Sequence, residues 1–187
     1  MLNLHIGLSG KMASGKSLVS SYLVDRYHFT ELAFAARLKE IATEMFGFDV
    51  AKKDERGRHI LQQFAQYMRE IDAAVWLRYV LKRIPDQGNV VISDVRFSNE
   101  FDTLKNLGFT MVRMTMSRAT QERIVRAHYP GVPLVMLDDY SERAVDDKPF
   151  DFTINNDSGV TIEQVFSQVD TMMGRLLLKE GAHGKRT

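Results

Sequence analysis

Apolar positions along the chain switch between two periods. Leu2, Leu4, Ile6 and Leu8 alternate with other residues, a strand pattern that Gly7 and Ser9-Gly10 bring to a turn. Leu18, Val19, Tyr22 and Leu23 then recur at helical spacing, so a helix is expected to run to about His28. Thr30 to Phe34 reads as a second strand. Leu38, Ile41, Ala42, Met45 and Phe46 share a helical face that Gly47 stops. Asp49 to His59 is charged and reads as an exposed connection. From Ile60, the positions Phe64, Met68, Ile71 and Val75 predict an amphipathic helix that continues to about Ile84, with a break near Asp72.

The second half repeats the alternation. Pro85 to Asn89 is a turn, and Val90-Val91-Ile92 is an unbroken apolar run of the kind a buried parallel strand shows. Ser98 to Asn106 reads as helix, Thr110 to Met116 as strand and Ser117 to Ala127 as a basic helix. His128 to Pro149 is loop-rich and holds three of the four prolines. Phe152 to Asn155 is a short strand. Thr161-Ile162-Glu163-Gln164 is a capping box opening a final helix, with Ile162, Val165, Phe166, Val169, Met172 and Met173 inward. The tail after Lys179 is basic. Strands alternating with helices predict an α/β fold, a parallel sheet covered on both faces. No repeat or interdomain linker interrupts residues 1–187, so a single domain is expected.

Between the first strand and the first helix stands Gly10-Lys11-Met12-Ala13-Ser14-Gly15-Lys16-Ser17. It fits G-x-x-x-x-G-K-[ST], the phosphate-cradling P-loop, in the strand–turn–helix setting that motif requires. Glycines at 10 and 15 let backbone N–H groups turn inward around a phosphate, with Ala13 and Ser14 between them. Lys16 can reach the β- and γ-phosphates, and the Ser17 hydroxyl can ligate Mg²⁺. The plainer alternative is a glycine-rich turn with a solvated lysine.

Composition narrows the setting. Hydrophobic residues make up 44% of the 187, enough for a sizeable core. A net charge of +1 gives no global pull toward nucleic acid or an anionic membrane. The absence of cysteine removes disulfides and thiolate chemistry. No apolar run approaches membrane-spanning length, and no secretion signal is visible at the N-terminus. A cytoplasmic location follows as an expectation, the host cytoplasm if the source is a phage.

Ligands of such sheets bind at the carboxyl ends of the strands, where the P-loop, Asp94 and Asn155 fall. Asp94 could hold Mg²⁺ through water or accept a proton, the alternatives being a helix N-cap or a partner for Arg96. Arg96 could clamp a phosphate or pair with Glu100. Arg118, Arg123 and Arg126 sit on a helix beside the loop-rich segment. Arg123 and Arg126, one turn apart, could supply a closing lid's cations, the alternative being a solvated basic face. Arg37, Lys39 and Arg69 could bind an acceptor phosphate, with Arg78 nearby. Gln62, Gln63 and Gln66 are amides able to read a base edge. Taken alone, the commoner role for each is that of a solvated side chain.

These stretches resemble the P-loop nucleoside monophosphate kinase superfamily, and within it the phage-type deoxynucleoside monophosphate kinases, with dephospho-CoA kinase and phosphomevalonate kinase as relatives. Gly10–Ser17, Phe34–Lys39, Ser93-Asp94-Val95-Arg96-Phe97-Ser98-Asn99-Glu100, Ser141-Glu142 and Phe150–Asn156 carry the resemblance. It implies a three-layer α/β/α fold with five parallel strands, an acceptor-binding helical region over 35–85 and a lid over 117–145. It also implies ATP on the P-loop, with Arg118, Asn155 and Asn156 among its contacts and Asn155-Asn156 near the adenine. Ala36-Arg37 stands where the family often has Asp-Pro, and Tyr140 where it has His. The implied partners are ATP and a deoxynucleoside monophosphate, with a homodimer left open. The alternatives are another small acceptor such as dephospho-CoA, a nucleic-acid-dependent ATPase, or a nucleotide-binding module without turnover.

Overall fold

A computed structural model describes residues 3–47, 55–129 and 131–183. Its strands are β1 (His5–Gly10), β2 (Phe29–Leu32), β3 (Asn89–Val95), β4 (Thr110–Thr115) and β5 (Phe152–Asn155). Its helices are α1 (Lys16–Tyr27), α2 (Phe34–Phe46), α3 (Glu55–Ile71), α4 (Val75–Leu81), α5 (Ser98–Asn106), α6 (Arg118–His128) and α7 (Ile162–His183). Two short 3₁₀ turns, Leu134–Asp138 and Tyr140–Glu142, follow α6.

The strands form one sheet in the order β2-β3-β1-β4-β5, and every pairing is parallel. Strand alternation sends side chains to two separate cores. Ile6, Leu8, Val91, Val112 and Ile154 point to the layer holding Val19 and Leu23 of α1 and Val165, Val169 and Met173 of α7. Val90, Ile92 and Met111 point the other way, toward Leu38, Trp76, Leu77, Phe101 and Leu104 from α2, α4 and α5. Ile6, Leu8 and Ile92 are fully enclosed, each stabilising the sheet by roughly 1.5–3 kcal/mol. Gly7 lies between them on the second face, where a Cβ would meet Met111 Cε at 2.8 Å, so a larger residue there would require the Met111 side chain to move.

Two element boundaries differ from the periodic pattern. Phe34 begins α2 instead of ending β2, because Asp94 accepts the N–H groups of Phe34 and Ala35 at 2.8 and 2.9 Å and so caps the helix there. Helix α3 starts at Glu55, within the stretch expected to be an exposed connection; residues 48–54 lie outside the described residues. The break near Asp72 is present, with the Ala74 N–H donated to Asp72 Oδ1 at 3.0 Å before α4 begins.

Candidate active site

The P-loop is shaped by two glycines that nothing else could replace. Gly10 has φ +152°, and a Cβ there would lie 2.6 Å from Ser14 Oγ and 2.9 Å from the Met114 carbonyl. Gly15 has φ +93°, and its Cβ would fall 2.4 Å from Asn156 Nδ2. Ala13 also takes a positive φ, 64°. Helix α1 has no side-chain cap at its start, which leaves the donors of its first turn for a ligand. Ser14 Oγ is buried without a partner among the described residues. A cradle that any Cβ would fill, an uncapped helix start and an orphaned hydroxyl together fit a phosphate.

Lys16 is part-buried and folds back over the loop. Its Nζ donates to the carbonyls of Gly10 at 2.5 Å and Lys11 at 2.9 Å. Burial, and then the Arg96 charge, lower its pKa to about 8, while Glu142 and Asp94 oppose the shift. Ser17 is exposed at the start of α1.

Around Lys16 the carboxyl ends of β3 and β4 gather charge. Arg96 Nη1 donates to Glu142 Oε1 at 2.7 Å, so its guanidinium pairs with Glu142 and not with Glu100. Glu100 instead accepts the backbone N–H groups of Arg96 and Phe97 at 2.8 and 3.0 Å. Burial raises the Glu100 pKa to about 7, and burial likewise raises that of Asp94 against its two helix N–H bonds. Arg113, on β4, pairs with Asp146 and donates to Ser9 Oγ at 3.3 Å. Lys11 stands 3.9 Å from Asp146.

Of the residues expected on the acceptor side, Arg69 of α3 reaches this cluster. Its guanidinium lies over the Phe97 ring, 4.3 Å from the centroid, and Tyr140 stands beyond at 6.4 Å between ring centroids. Burial draws the Arg69 pKa below its ordinary value, with the charges of Glu100, Arg96 and Asp94 all felt there. Arg37 pairs with Glu40 at 3.1 Å, Arg78 pairs with Asp72 and Gln66 bonds Glu70 at 3.0 Å. Lys39, Gln62 and Gln63 are exposed.

Helix α6 presents Gln121 and Val125 inward. Gln121 Nε2 donates to the Met12 carbonyl at 3.0 Å, and Val125 packs with Val132 and Leu137 against Met12 and Ala13. At about 100° per residue, Arg123 and Arg126 therefore lie on the opposite side of the helix. Both are exposed, with Arg126 3.6 Å from Glu122. Arg118 pairs with Glu122 at 2.8 Å and with Asp138 at 2.9 Å. The cations brought to Lys16 are thus Arg96 and Arg113, and Arg113 carried no local motif that could have marked it.

Beyond β5, Asn156 Nδ2 donates to the Ser14 carbonyl at 3.1 Å and seats against Gly15. Asn155 is exposed, its backbone bonded to the Gln168 amide of α7 and its Oδ1 accepting the Asp157 N–H at 3.1 Å. Asp157 accepts Ser117 Oγ at 2.8 Å and Ser117 N at 2.9 Å, together with the Thr120 hydroxyl, tying this loop to the start of α6. Among the described residues no group of three His, Asp or Glu side chains could hold a metal alone, and no helix is long and apolar enough to cross a membrane.

The parallel sheet, the phosphate cradle after β1 and the helical layer facing it have the architecture of P-loop kinases of the nucleoside monophosphate kinase type. The comparisons with known proteins agree with that class. A protein of Acanthamoeba polyphaga mimivirus, provisionally named a deoxynucleotide monophosphate kinase, is 29% identical over 195 residues, covering 88% of this chain and 93% of its own. An uncharacterised protein of Ictalurid herpesvirus 1 is 30% identical over 119 residues, 60% of this chain and 51% of its own. Among solved structures, a gluconokinase from Sinorhizobium meliloti shares the fold with a TM-score of 0.63 at 17% identity over 98% of both chains. A shikimate kinase from Bacteroides thetaiotaomicron does so with 0.51 at 16% identity, over 92% of this chain and 98% of its own. No protein-family profile matches the chain.

Proposed function

We propose that this protein transfers the γ-phosphoryl group of ATP to a deoxynucleoside monophosphate, giving the diphosphate. The observation that carries the reading is Arg69. It is a half-buried guanidinium on an aromatic ring that has no carboxylate within 4 Å among the described residues, with the charges of Glu100 and Asp94 acting on it from farther off and that of Arg96 opposing them. Such a cation is stabilised by an anion, and Arg69 and Arg96 suit an acceptor phosphate facing the donor phosphates on the P-loop. The provisional name of the mimivirus relative supports a deoxynucleoside monophosphate as that acceptor.

Catalysis in this arrangement is positioning and charge neutralisation. Gly10, Ala13, Ser14, Gly15, Lys16 and Ser17 cradle the donor phosphates, and Asn156 braces that loop. An acceptor phosphate oxygen attacks the γ-phosphorus while the bond to the β–γ bridging oxygen breaks, and ADP leaves. A phosphate monoester is already largely ionised at neutral pH, its second pKa being about 6, so Asp94 has no proton to remove from the attacking oxygen. Mg²⁺, when bound, would be held by Ser17 and, through water, by Asp94, and would neutralise phosphate charge. Arg96 and Arg113 add cations beside Lys16.

The test is an acceptor panel with ATP and Mg²⁺, read as ADP formed. Deoxynucleoside monophosphates are expected to outperform dephospho-CoA and mevalonate phosphate. Arg69→Ala is expected to raise the acceptor KM about tenfold or more with a smaller change in ATP KM. Fast turnover of dephospho-CoA with no deoxynucleoside monophosphate accepted would replace the reading with its neighbour.

The lid is tested separately. With α6 docked as described, Arg123→Ala and Arg126→Ala are expected to change kcat by no more than about threefold. A loss of about tenfold or more at either position, with ATP affinity kept, would mean that the helix rotates its basic face onto the phosphates during turnover.

A further inference from the structure

Glu142 has no part in the chemistry above, yet it touches both halves of the site. It ends the second 3₁₀ turn, and its side chain is only 2% exposed. Its Oε1 accepts Arg96 Nη1 at 2.7 Å. Its Oε2 accepts the backbone N–H of Met12, inside the P-loop. Its charge also reaches Lys16, opposing the downward pull of burial and of Arg96 on that ammonium.

The other carboxylates near Arg96 are committed elsewhere. Asp94 uses both oxygens on the N–H groups of Phe34 and Ala35. Glu100 accepts the backbone N–H groups of Arg96 and Phe97. Among the described residues, Glu142 is the one carboxylate paired with the Arg96 guanidinium. An arginine side chain is long and rotamer-rich, and a fixed carboxylate beside it selects one placement before any ligand arrives. Here that carboxylate is itself fixed by the P-loop backbone. The segment bearing it is docked by Ser98 Oγ, which donates to the Ala144 carbonyl at 2.8 Å.

We propose that Glu142 is a positioning residue, which registers Arg96 to the P-loop so that its free guanidinium edge meets the transferring phosphoryl group. The proposal rests on the phosphoryl-transfer reading. It also makes the 134–145 segment part of the site's construction, since the segment must be seated for Arg96 to be placed.

A buried ion pair could instead serve stability alone, and a double-mutant cycle on kcat separates the two roles. The variants are Glu142→Gln, Glu142→Asp, Arg96→Ala and the combination of Glu142→Gln with Arg96→Ala. Gln keeps an oxygen for the Met12 N–H but sets an NH₂ group against Arg96. Asp keeps the charge but is one methylene too short to serve both partners.

Glu142→Gln is expected to lower kcat about tenfold or more with ATP KM changed less than about threefold. Glu142→Asp should fall between Gln and wild type, and the double variant should be no slower than Arg96→Ala alone, because an undirected arginine has little left to lose. Glu142→Gln turning over within about twofold of wild type would overturn the proposal. So would losses that multiply in the double variant. If the Gln variant is too unstable to assay, the Asp variant enters the same cycle with the same two outcomes. A wild-type protein that phosphorylates no acceptor would count against the phosphoryl-transfer reading, whereas an active wild type with an indifferent Glu142 counts against this proposal only.

Discussion

Lys16→Met is expected to lower kcat for phosphoryl transfer about 10²-fold or more while the protein stays folded. Methionine keeps most of the apolar stem and removes the ammonium that would face the β- and γ-phosphates. Two effects on stability oppose one another. The variant loses the hydrogen bonds to the Gly10 and Lys11 carbonyls, about 1 kcal/mol each. It also removes a charge whose desolvation brings the Lys16 pKa from 10.5 to about 8, a folding cost on the order of 3 kcal/mol. A small net change in Tm is therefore expected beside a large loss of activity.

The pH dependence has a definite sign. Between pH 8 and 10.5 the unfolded chain holds the Lys16 proton and the folded protein releases it. The wild type therefore gains stability from this group as pH rises through that window, and the methionine variant does not. Near-normal turnover in a folded Lys16→Met variant would end the assignment of Gly10–Ser17 as a phosphate site.

The second large effect is expected at Asp94. Its two oxygens each hold a backbone N–H at the start of α2. Asparagine has one acceptor oxygen, so one N–H would lose its partner and face an NH₂ group; alanine strands both. An unsatisfied buried donor costs roughly 1–3 kcal/mol, set against the desolvation cost of the buried charge that either variant relieves, so Asp94→Asn should lose about 1 kcal/mol in urea unfolding and Asp94→Ala, with two stranded donors, about 2–3 kcal/mol. Activity should fall with it, because Lys16 and Arg96 lose a neighbouring negative charge. An Asp94→Asn protein as stable as wild type would show that the carboxylate does not hold the helix.

Acid unfolding should not originate at Asp94. Burial keeps its folded pKa above 3.8, so protonation relieves a cost of folding. Asp157 behaves oppositely: hydrogen bonds from Thr120 and Ser117 hold it at about 2. Its stabilising contribution is present above its unfolded value near 4 and is lost as pH falls through about 2.

These two residues mark what the chain discloses locally and what it does not. The P-loop occupies eight consecutive residues, and its glycines, lysine and serine announce their chemistry by spacing alone. The parallel sheet was legible because β3 carries a continuous apolar run and the other short apolar or alternating stretches are separated from it by helical periodicity. The start of α2 was not, since Phe34 extends the apolar pattern of β2 and the group that caps the helix stands 60 residues away. The first turn of α3, residues 55–59, holds no apolar side chain, so no periodicity could reveal it. Glu142 and Gln121 meet Met12 across 130 and 109 residues. A buried acid paired at such distance looks like any surface acid until the chain is folded. Arg123 and Arg126 show the converse: their one-turn spacing is visible in sequence, but the direction they face depends on how Gln121 docks the helix.

The strand order has one more consequence, for self-association. The two edges of the sheet, β2 and β5, are also its shortest strands, four residues each. In a parallel edge strand only alternate residues direct N–H and C=O outward, so each rim offers about two residues to a foreign strand. Thr30 and the acidic Glu31 are exposed along β2. A long, flat, apolar rim would template intermolecular β-structure; here the long strands β1, β3 and β4 are enclosed between neighbours, and growth of the sheet into an aggregate finds little to pair with on either side.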